Sequence, residues 1–144
     1  MTAGRRPSPV PGPRVRTKAV MVVEDNTAIR EGLTSLLEEE GHQVIAVANG
    51  LEALEQLRWG NKPCLILLDL RMTVMTGWEF RAQQKQDPAL AAIPVIAITA
   101  HAMVGDRETA LAAGCSECLI KPYEIVDLVR VVERFVGPAH AQSA

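Results

Sequence analysis

The stretch Cys64-Leu65-Ile66-Leu67-Leu68-Asp69-Leu70-Arg71-Met72 contains the strongest indication of the fold. A short apolar run that is closed by an acid and followed by irregular sequence is typical of a strand buried on both faces. Asp69 would then stand at the carboxyl end of that strand, at the sheet edge where open α/β folds bind ligands. A carboxylate in such a place needs a cation or another partner to neutralise it. The stretch therefore predicts an α/β sheet with a functional acid at its edge.

Five strands are predicted, and a helix follows each of them. The strands are Lys18–Val23, Gln43–Val47, Cys64–Asp69, Val95–Ile98 and Glu117–Ile120. The first helix begins at Asn26 or Thr27 and stops at Gly41. The next three helices run from Asn49-Gly50 to Trp59, from Trp78 to Lys85 and from Asp106 to Ala113. The last helix carries Ile125, Leu128, Val132 and Phe135. This alternation predicts one parallel sheet with helices on both faces. Five units favour a flavodoxin-like (βα)5 doubly wound sheet of strand order 2-1-3-4-5 over a barrel, which needs eight.

Charge is distributed unevenly along the 144 residues. Residues 1–18 contain five basic residues, four prolines and no acid, whereas the rest has ten basic against seventeen acidic residues, a formal charge of −7. An acidic body argues against a nucleic-acid-binding surface. We interpret residues 1–17 as a disordered basic leader, 18–136 as one folded domain and 137–144 as a polar tail. No apolar stretch suits a signal peptide or a membrane span, so we expect a cytoplasmic protein.

The three cysteines are interpreted as free thiols, because a chain without an export signal stays in a reducing compartment. Cys115 and Cys118 have the spacing of a zinc or redox pair. A zinc site needs two further ligands, and no second closely spaced Cys/His pair exists. A redox pair would begin a helix, whereas this pair runs into the apolar Leu119-Ile120. We therefore expect small buried thiols.

Polar residues stand at the predicted carboxyl ends of four strands: Glu24 with Asp25, Asp69, Thr99 and Lys121. Three carboxylates in one cleft repel one another, and a divalent cation would relieve the repulsion. Mg²⁺ prefers a few carboxylates together with water and phosphate oxygens. The lysine and the hydroxyl would complete a clamp for the oxygens of a transferring phosphoryl group. Asp69 is central, and an ionised carboxylate can attack phosphorus itself, so Asp69 is the predicted phosphoacceptor.

Over roughly residues 18–136 the chain resembles the response-regulator receiver domains of two-component signalling, of the chemotaxis-regulator type. The matching motifs are Val22-Val23-Glu24-Asp25-Asn26, Asn49-Gly50-Leu51-Glu52-Ala53-Leu54, Leu67-Leu68-Asp69-Leu70-Arg71-Met72, Ile96-Ala97-Ile98-Thr99-Ala100 and Lys121-Pro122. Each motif alone is weak, but five in order at the right spacing form a specific signal. The resemblance implies that a histidine kinase or histidine phosphotransfer protein phosphorylates Asp69. It also implies a signalling switch rather than an enzyme.

The resemblance further implies a Mg²⁺ site. Asp25 would bind the ion directly and Glu24 would bind it through water, Asp69 would belong to the same site, and the backbone carbonyl of Arg71 would complete the protein ligands. The self-phosphorylation and self-dephosphorylation of Asp69 would depend on this ion.

Further expectations concern the phosphoryl contacts and the output surface. Thr99 and Lys121 would contact the phosphoryl group, and the Lys121–Pro122 bond would be cis. Output would be binding of an unknown downstream protein, through the surface of the fourth helix, fifth strand and fifth helix. The Ala-rich fourth helix has little apolar surface, so we expect it to be mobile. No nucleic-acid or membrane partner is expected, and the protein would be a monomer or a weak homodimer.

Several positions depart from the family pattern. Cys118 replaces an aromatic residue whose rotation usually accompanies phosphorylation, so the aromatic form of that switch is missing. Thr73 replaces a proline, which would loosen the loop beside the phosphoacceptor. Arg71 and His101 lie two residues beyond the phosphoacceptor and the threonine, where side chains control the access of water. We expect a changed phosphate lifetime, in a direction that the sequence does not define.

Other functions agree less well with the sequence. Aspartyl phosphatases carry a second Asp two residues after their nucleophile, where this chain has Arg71, which cannot donate a proton. A nucleotide- or flavin-binding site needs a glycine-rich loop after the first strand, where Glu24-Asp25-Asn26 places negative charge. The alternative that stays open is a docking module of receiver fold that no longer depends on phosphorylation, given Cys118 and Thr73. We expect a stand-alone receiver, because only a short tail follows Gly137.

Overall fold

The computed structural model describes residues 19–72, 74–99 and 106–137. The strands are β1 (Val20–Val23), β2 (Val44–Val47), β3 (Leu65–Asp69), β4 (Val95–Thr99) and β5 (Glu117–Ile120). The helices are α1 (Thr27–Glu39), α2 (Gly50–Arg58), α3 (Gly77–Gln86), α4 (Pro88–Ala91), α5 (Asp106–Ala112) and α6 (Ile125–Val136). All neighbouring strands are parallel, in the order β2-β1-β3-β4-β5, so the predicted flavodoxin-like strand order is confirmed. The leader with Lys18, Thr73, His101 and residues 138–144 lie outside the described residues.

The sheet separates two hydrophobic cores. Successive side chains of a strand point to opposite faces, and β3 shows the consequence directly. Leu65 and Leu67 pack into the core under α1 and α6, whereas Ile66 and Leu68 pack into the core under α2, α3, α4 and α5. Every residue of β3 is buried, as the sequence predicted. The strand that ends in Asp69 is thus fixed from both sides.

Three apolar residues at the starts of helices, where helical spacing places them on the apolar side, are exposed. Ile29 in α1 is 38% exposed, Leu51 in α2 is 55% exposed and Ile125 in α6 is 61% exposed. All three lie in the first turn of their helix. Helical spacing identifies which side of a helix is apolar, but it does not show how far the neighbouring layer extends along that helix.

The short helix α4 was not predicted from the sequence. Asp87 caps it, because its side-chain oxygen accepts a hydrogen bond from the Ala89 N–H at 3.0 Å. Pro88 suits the first helical position, where its missing N–H costs nothing. The helix places Leu90 in the core between α3 and β4. A single turn is too short to give a periodic pattern, so only the Asp-Pro pair could have indicated it.

The cysteine prediction is confirmed, since all three thiols are free and Cys115 and Cys118 are buried. The Lys121–Pro122 bond is cis, as the family resemblance implied. No helix in the described ranges has the length and apolar character that crossing a membrane requires.

Candidate functional site

Three carboxylates meet where β1 and β3 end. Glu24 and Asp25 directly follow β1, and Asp69 is the last residue of the neighbouring strand β3. One oxygen from each carboxylate lies within 4.8 Å of those of the other two. Glu24 is 3% exposed and Asp69 is 5% exposed, whereas Asp25 is half-buried. The predicted acid cluster is therefore present at the predicted edge of the sheet.

Short-range hydrogen bonds hold these carboxylates in place. An oxygen of Glu24 accepts the Asn26 N–H at 3.1 Å, and an oxygen of Asp69 accepts the Arg71 N–H at 3.0 Å. Of the two predicted starts of α1, Asn26 and Thr27, the structure selects Asn26 as the cap. Its side chain accepts a hydrogen bond from the Ile29 N–H at 2.9 Å. Glu24 and Asp69 thus each stand in a turn that their own side chain stabilises.

Glu24 is difficult to ionise in this arrangement. Its pKa is raised from 4.5 to about 7, first by burial and then by the neighbouring Asp69. The Asn26 N–H and the Lys121 ammonium act in the opposite direction on this pKa. The Lys121 ammonium lies 3.8 Å from an oxygen of Glu24. One lysine does not compensate three carboxylates, so the site favours a further cation.

Thr99 and Lys121 come from the two strands on the other side of β3. Thr99 ends β4 and is fully buried, and its carbonyl accepts the Lys121 N–H at 2.8 Å. Lys121 follows β5, and its ammonium is partly exposed beside Glu24. Arg71 has an exposed side chain, and its N–H is directed to Asp69. The structure brings the predicted residues to one edge of the sheet, with Lys121 paired to Glu24 rather than to Asp69.

The donor set suits a hard divalent cation. Carboxylate oxygens are the preferred protein ligands of Mg²⁺, which takes only a few of them and keeps water in its other positions. The spacing of the three carboxylates allows them to share one ion, and the raised pKa of Glu24 reflects negative charge that such an ion would offset. The residues present therefore fit the Mg²⁺ that the family resemblance implied.

Two residues beside the site were not identified from the sequence. The pKa of Tyr123 is raised by burial and by the charges of Glu24 and Asp69, so its phenol lies near the acids. Tyr123 also lines a groove of about 260 Å³ together with Ile29, Gly32, Leu33, Leu36 and Ile125. The guanidinium of Arg30 donates to the Glu24 carbonyl at 2.9 Å. Tyr123 and Arg30 each approach the acids from a different element of the fold. In the sequence, only the position of Tyr123, two residues after Lys121, could have suggested that Tyr123 lies near the site.

The comparison with protein families identifies the domain. The model of the response regulator receiver domain matches residues 20–133, which include every residue of the acid cluster. The chain belongs to this family. It is a receiver domain of two-component signalling, and such domains are signalling switches that bind Mg²⁺ in their active site.

Relatives of known type agree with this assignment. The polar-differentiation response regulator DivK of Brucella anthropi is 38% identical over 122 residues, which are 85% of this chain and 98% of that protein. The receiver domain of a signal transduction histidine kinase from Syntrophus aciditrophicus is 34% identical with a TM-score of 0.75, covering 82% of this chain and 89% of that one. A sensor histidine kinase receiver domain from Pseudomonas aeruginosa is 31% identical with a TM-score of 0.75, covering 83% and 97%. That structure has a magnesium ion coordinated in its active-site cleft.

Proposed function

We propose that the protein is a phosphoacceptor switch in which Asp69 receives a phosphoryl group from a phosphohistidine of a partner protein. The observation that carries the proposal is the cluster of Glu24, Asp25 and Asp69 at the sheet edge, with the Lys121 ammonium beside it. Two of these carboxylates are almost wholly buried, which is costly for a group that has no function there. The free thiols support a reducing compartment, so a cytoplasmic location belongs to the same proposal.

The proposed step exchanges one bond to phosphorus for another. A carboxylate oxygen of Asp69 forms a P–O bond while the P–N bond to the imidazole breaks, and the electron pair leaves with the ring nitrogen. Lys121 and Thr99 would donate hydrogen bonds to the phosphoryl oxygens. The three acids and the Arg71 carbonyl would hold Mg²⁺, whose charge offsets that of the phosphoryl oxygens. Hydrolysis of the acyl phosphate returns the carboxylate and resets the switch.

The phosphohistidine partner would dock on the groove between α1 and α6. Ile29 and Ile125 are exposed apolar residues at its rim, and Tyr123 connects it to the acids. A donor protein has to place its imidazole at Asp69, so a contact surface beside the acids serves the transfer. This occupant is favoured because the groove adjoins the site at which the partner must act.

The proposed output is a change in the surface formed by α5, β5 and α6, which a downstream protein would recognise. The Lys121 N–H joins the end of β5 to the carbonyl of Thr99 at the end of β4. A movement of Thr99 towards the phosphoryl group would therefore also displace the chain after β5. Cys118 is buried within β5 and supplies no ring to rotate, so this backbone link is the proposed route. The mobility of α5 stays a prediction.

Intact-mass measurement tests the phosphoacceptor. The wild-type protein, incubated with Mg²⁺ and a small phosphodonor such as phosphoramidate, should gain the mass of one phosphoryl group. Asp69→Asn should gain none, whereas the matched control Asp127→Asn on the exposed side of α6 should react normally. Absence of the added mass in the wild type, or its persistence in Asp69→Asn, would support the alternative of a docking module independent of phosphorylation.

Comparison of two donors tests the docking groove. Ile29→Lys should slow transfer from a phosphohistidine protein several-fold and leave the reaction with phosphoramidate unchanged. Leu51→Lys introduces the same charge at an exposed apolar site on α2 and should affect neither reaction. Equal transfer rates for Ile29→Lys and Leu51→Lys would exclude the groove as the donor site.

A further inference from the structure

Arg30 makes a contact that the helix containing it does not require. It lies in α1, and its guanidinium donates to the Glu24 carbonyl at 2.9 Å, six residues earlier in the chain. A second nitrogen of the same group lies 3.4 Å from the Thr27 hydroxyl. The Arg30 side chain is half-buried, so this hydrogen bond is only partly exposed to competition from water.

The hydrogen bond from Arg30 is the second of two that hold the backbone of Glu24. The Glu24 N–H donates to the Val47 carbonyl of β2 at 3.2 Å, and the Glu24 carbonyl accepts from Arg30. That carbonyl belongs to the peptide group that joins Glu24 to Asp25. Its orientation therefore sets the direction in which the chain, and with it the Asp25 side chain, leaves β1.

We propose that Arg30 is a positioning residue of the cation site, which holds the Glu24–Asp25 peptide so that both carboxylates face Asp69. The inference rests on the proposed Mg²⁺-dependent function and adds a residue to it. Arg30 itself touches neither the cation nor the phosphoryl group. Its effect is exerted through the ligand-bearing turn, and residues that orient ligands contribute strongly to metal affinity.

A purely structural explanation makes a different prediction. If Arg30 served only to stabilise the first turn of α1, its contact with Thr27 would be the important one. Removal of that contact would then affect the protein as much as removal of the guanidinium, and both changes would lower stability without altering the cation site. The two explanations are separated by measuring cation affinity in the folded protein.

Calorimetric titration with Mg²⁺ at pH 8 and 25 °C tests the proposal, because Glu24 is largely ionised at this pH. Arg30→Met should weaken Mg²⁺ binding about tenfold, whereas Thr27→Val should leave it unchanged. Arg130→Met is the matched control, since Arg130 makes an exposed contact with Asp127 within α6. Circular dichroism should show each variant folded at the temperature of the titration.

Each outcome has a defined meaning. Wild-type affinity in Arg30→Met, or an equal loss of affinity in Thr27→Val, would overturn the positioning role while leaving the proposed function intact. Absence of Mg²⁺ binding in the wild type would instead contradict the proposed function itself. A loss confined to Arg30→Met supports the inference.

Discussion

Glu24 makes the stability of the cation-free protein depend on pH. Its pKa is about 7 in the folded protein and 4.5 in the unfolded chain, so between these values the folded state holds a proton that the unfolded state has lost. The resulting stabilisation is fully present below pH 4.5 and is lost as the pH rises through 7. Glu24→Gln removes this contribution, which is on the order of 3 kcal/mol.

Urea denaturation in EDTA at pH 5 and at pH 8 measures this effect. The free energy of unfolding of Glu24→Gln, relative to the wild type, should be higher at pH 8 than at pH 5. Carboxyl groups away from the cluster contribute equally to both proteins, so the difference reports Glu24 together with its interaction with Asp69. A difference that does not change with pH would show that Glu24 titrates normally.

His42 should act in the opposite direction. Its side chain is buried, and its Nε2 atom has no hydrogen-bond partner among the residues that the structure describes. Burial lowers the pKa of His42 below 6.5, although Glu133 and Glu40 partly oppose this shift. The unfolded imidazole therefore binds a proton more readily, and stability that is present above pH 6.5 is lost as the pH falls. His42→Leu should reduce this acid-side loss, as measured by urea denaturation at pH 7.5 and pH 5.5. An unchanged acid-side loss in His42→Leu would contradict the burial of an uncharged ring.

The residues of the site could be predicted because each of them stands at the end of a strand. Once a parallel sheet is inferred, the positions of Glu24, Asp69 and Lys121 at one edge follow from the topology. Arg30 and His42 could not be identified in this way. Their environment depends on which side chains of neighbouring elements approach them, and a sequence pattern carries no information about such contacts.

At the scale of elements, Gly77 controls how closely α3 approaches the loop that follows Asp69. Its N–H donates to the Leu70 carbonyl at 3.2 Å. A β-carbon at this position would lie 2.7 Å from the Leu70 Cα atom and 2.9 Å from the Asp69 carbonyl oxygen. Both are backbone atoms, so the loop or the helix has to move. Gly77→Ala should lower the free energy of unfolding by about 1–3 kcal/mol and slow the phosphorylation of Asp69.

Gly32 in α1 provides the matched control for Gly77→Ala. Apart from its own helix backbone and its neighbours in the chain, a β-carbon there would meet no described atom within 4 Å. Alanine is also the better helix former, so Gly32→Ala should stabilise the protein by about 0.5–1 kcal/mol. Urea denaturation and intact-mass kinetics measure both variants. Equal behaviour of the two would mean that α3 does not restrict the loop.

The helices illustrate what a sequence pattern leaves undetermined. The limits of α3 were predicted to within one residue, although Gly77, which was expected to end the preceding loop, is the first residue of the helix and Thr76 caps it. The connection between α3 and α5 was not predicted. The guanidinium of the buried Arg81 donates to the Ala113 carbonyl at 3.0 Å and to the Gly114 carbonyl at 3.1 Å. This long-range contact requires the charged guanidinium of Arg81 to be buried. Charged side chains are almost always exposed, so the sequence alone would predict a surface position for Arg81.

At the scale of the whole molecule, the sheet order followed from the alternation of strands and helices, whereas the groove between α1 and α6 did not. The order is limited by the handedness and the short length of the connections. The groove arises because Ile29 and Ile125 remain exposed at the ends of two helices that pack side by side. The groove therefore depends on how the helices pack in the folded protein, which the strand and helix pattern does not define.

Mg²⁺ should stabilise the whole domain, and the acidic body of the protein makes it necessary to separate specific binding from screening. Residues 19–144 have a formal charge of −7, so any salt reduces the self-repulsion of the domain. A cation bound only by the folded state adds about 1.4 kcal/mol to the free energy of unfolding when its concentration is ten times its Kd. Urea denaturation at pH 8 should show this gain with MgCl₂ but not with NaCl of equal ionic strength. Asp25→Asn should abolish the gain and Asp127→Asn should retain it, because only Asp25 belongs to the carboxylate cluster. If NaCl stabilised the wild type as much as MgCl₂ did, screening would account for the effect and the cluster would not be a specific cation site.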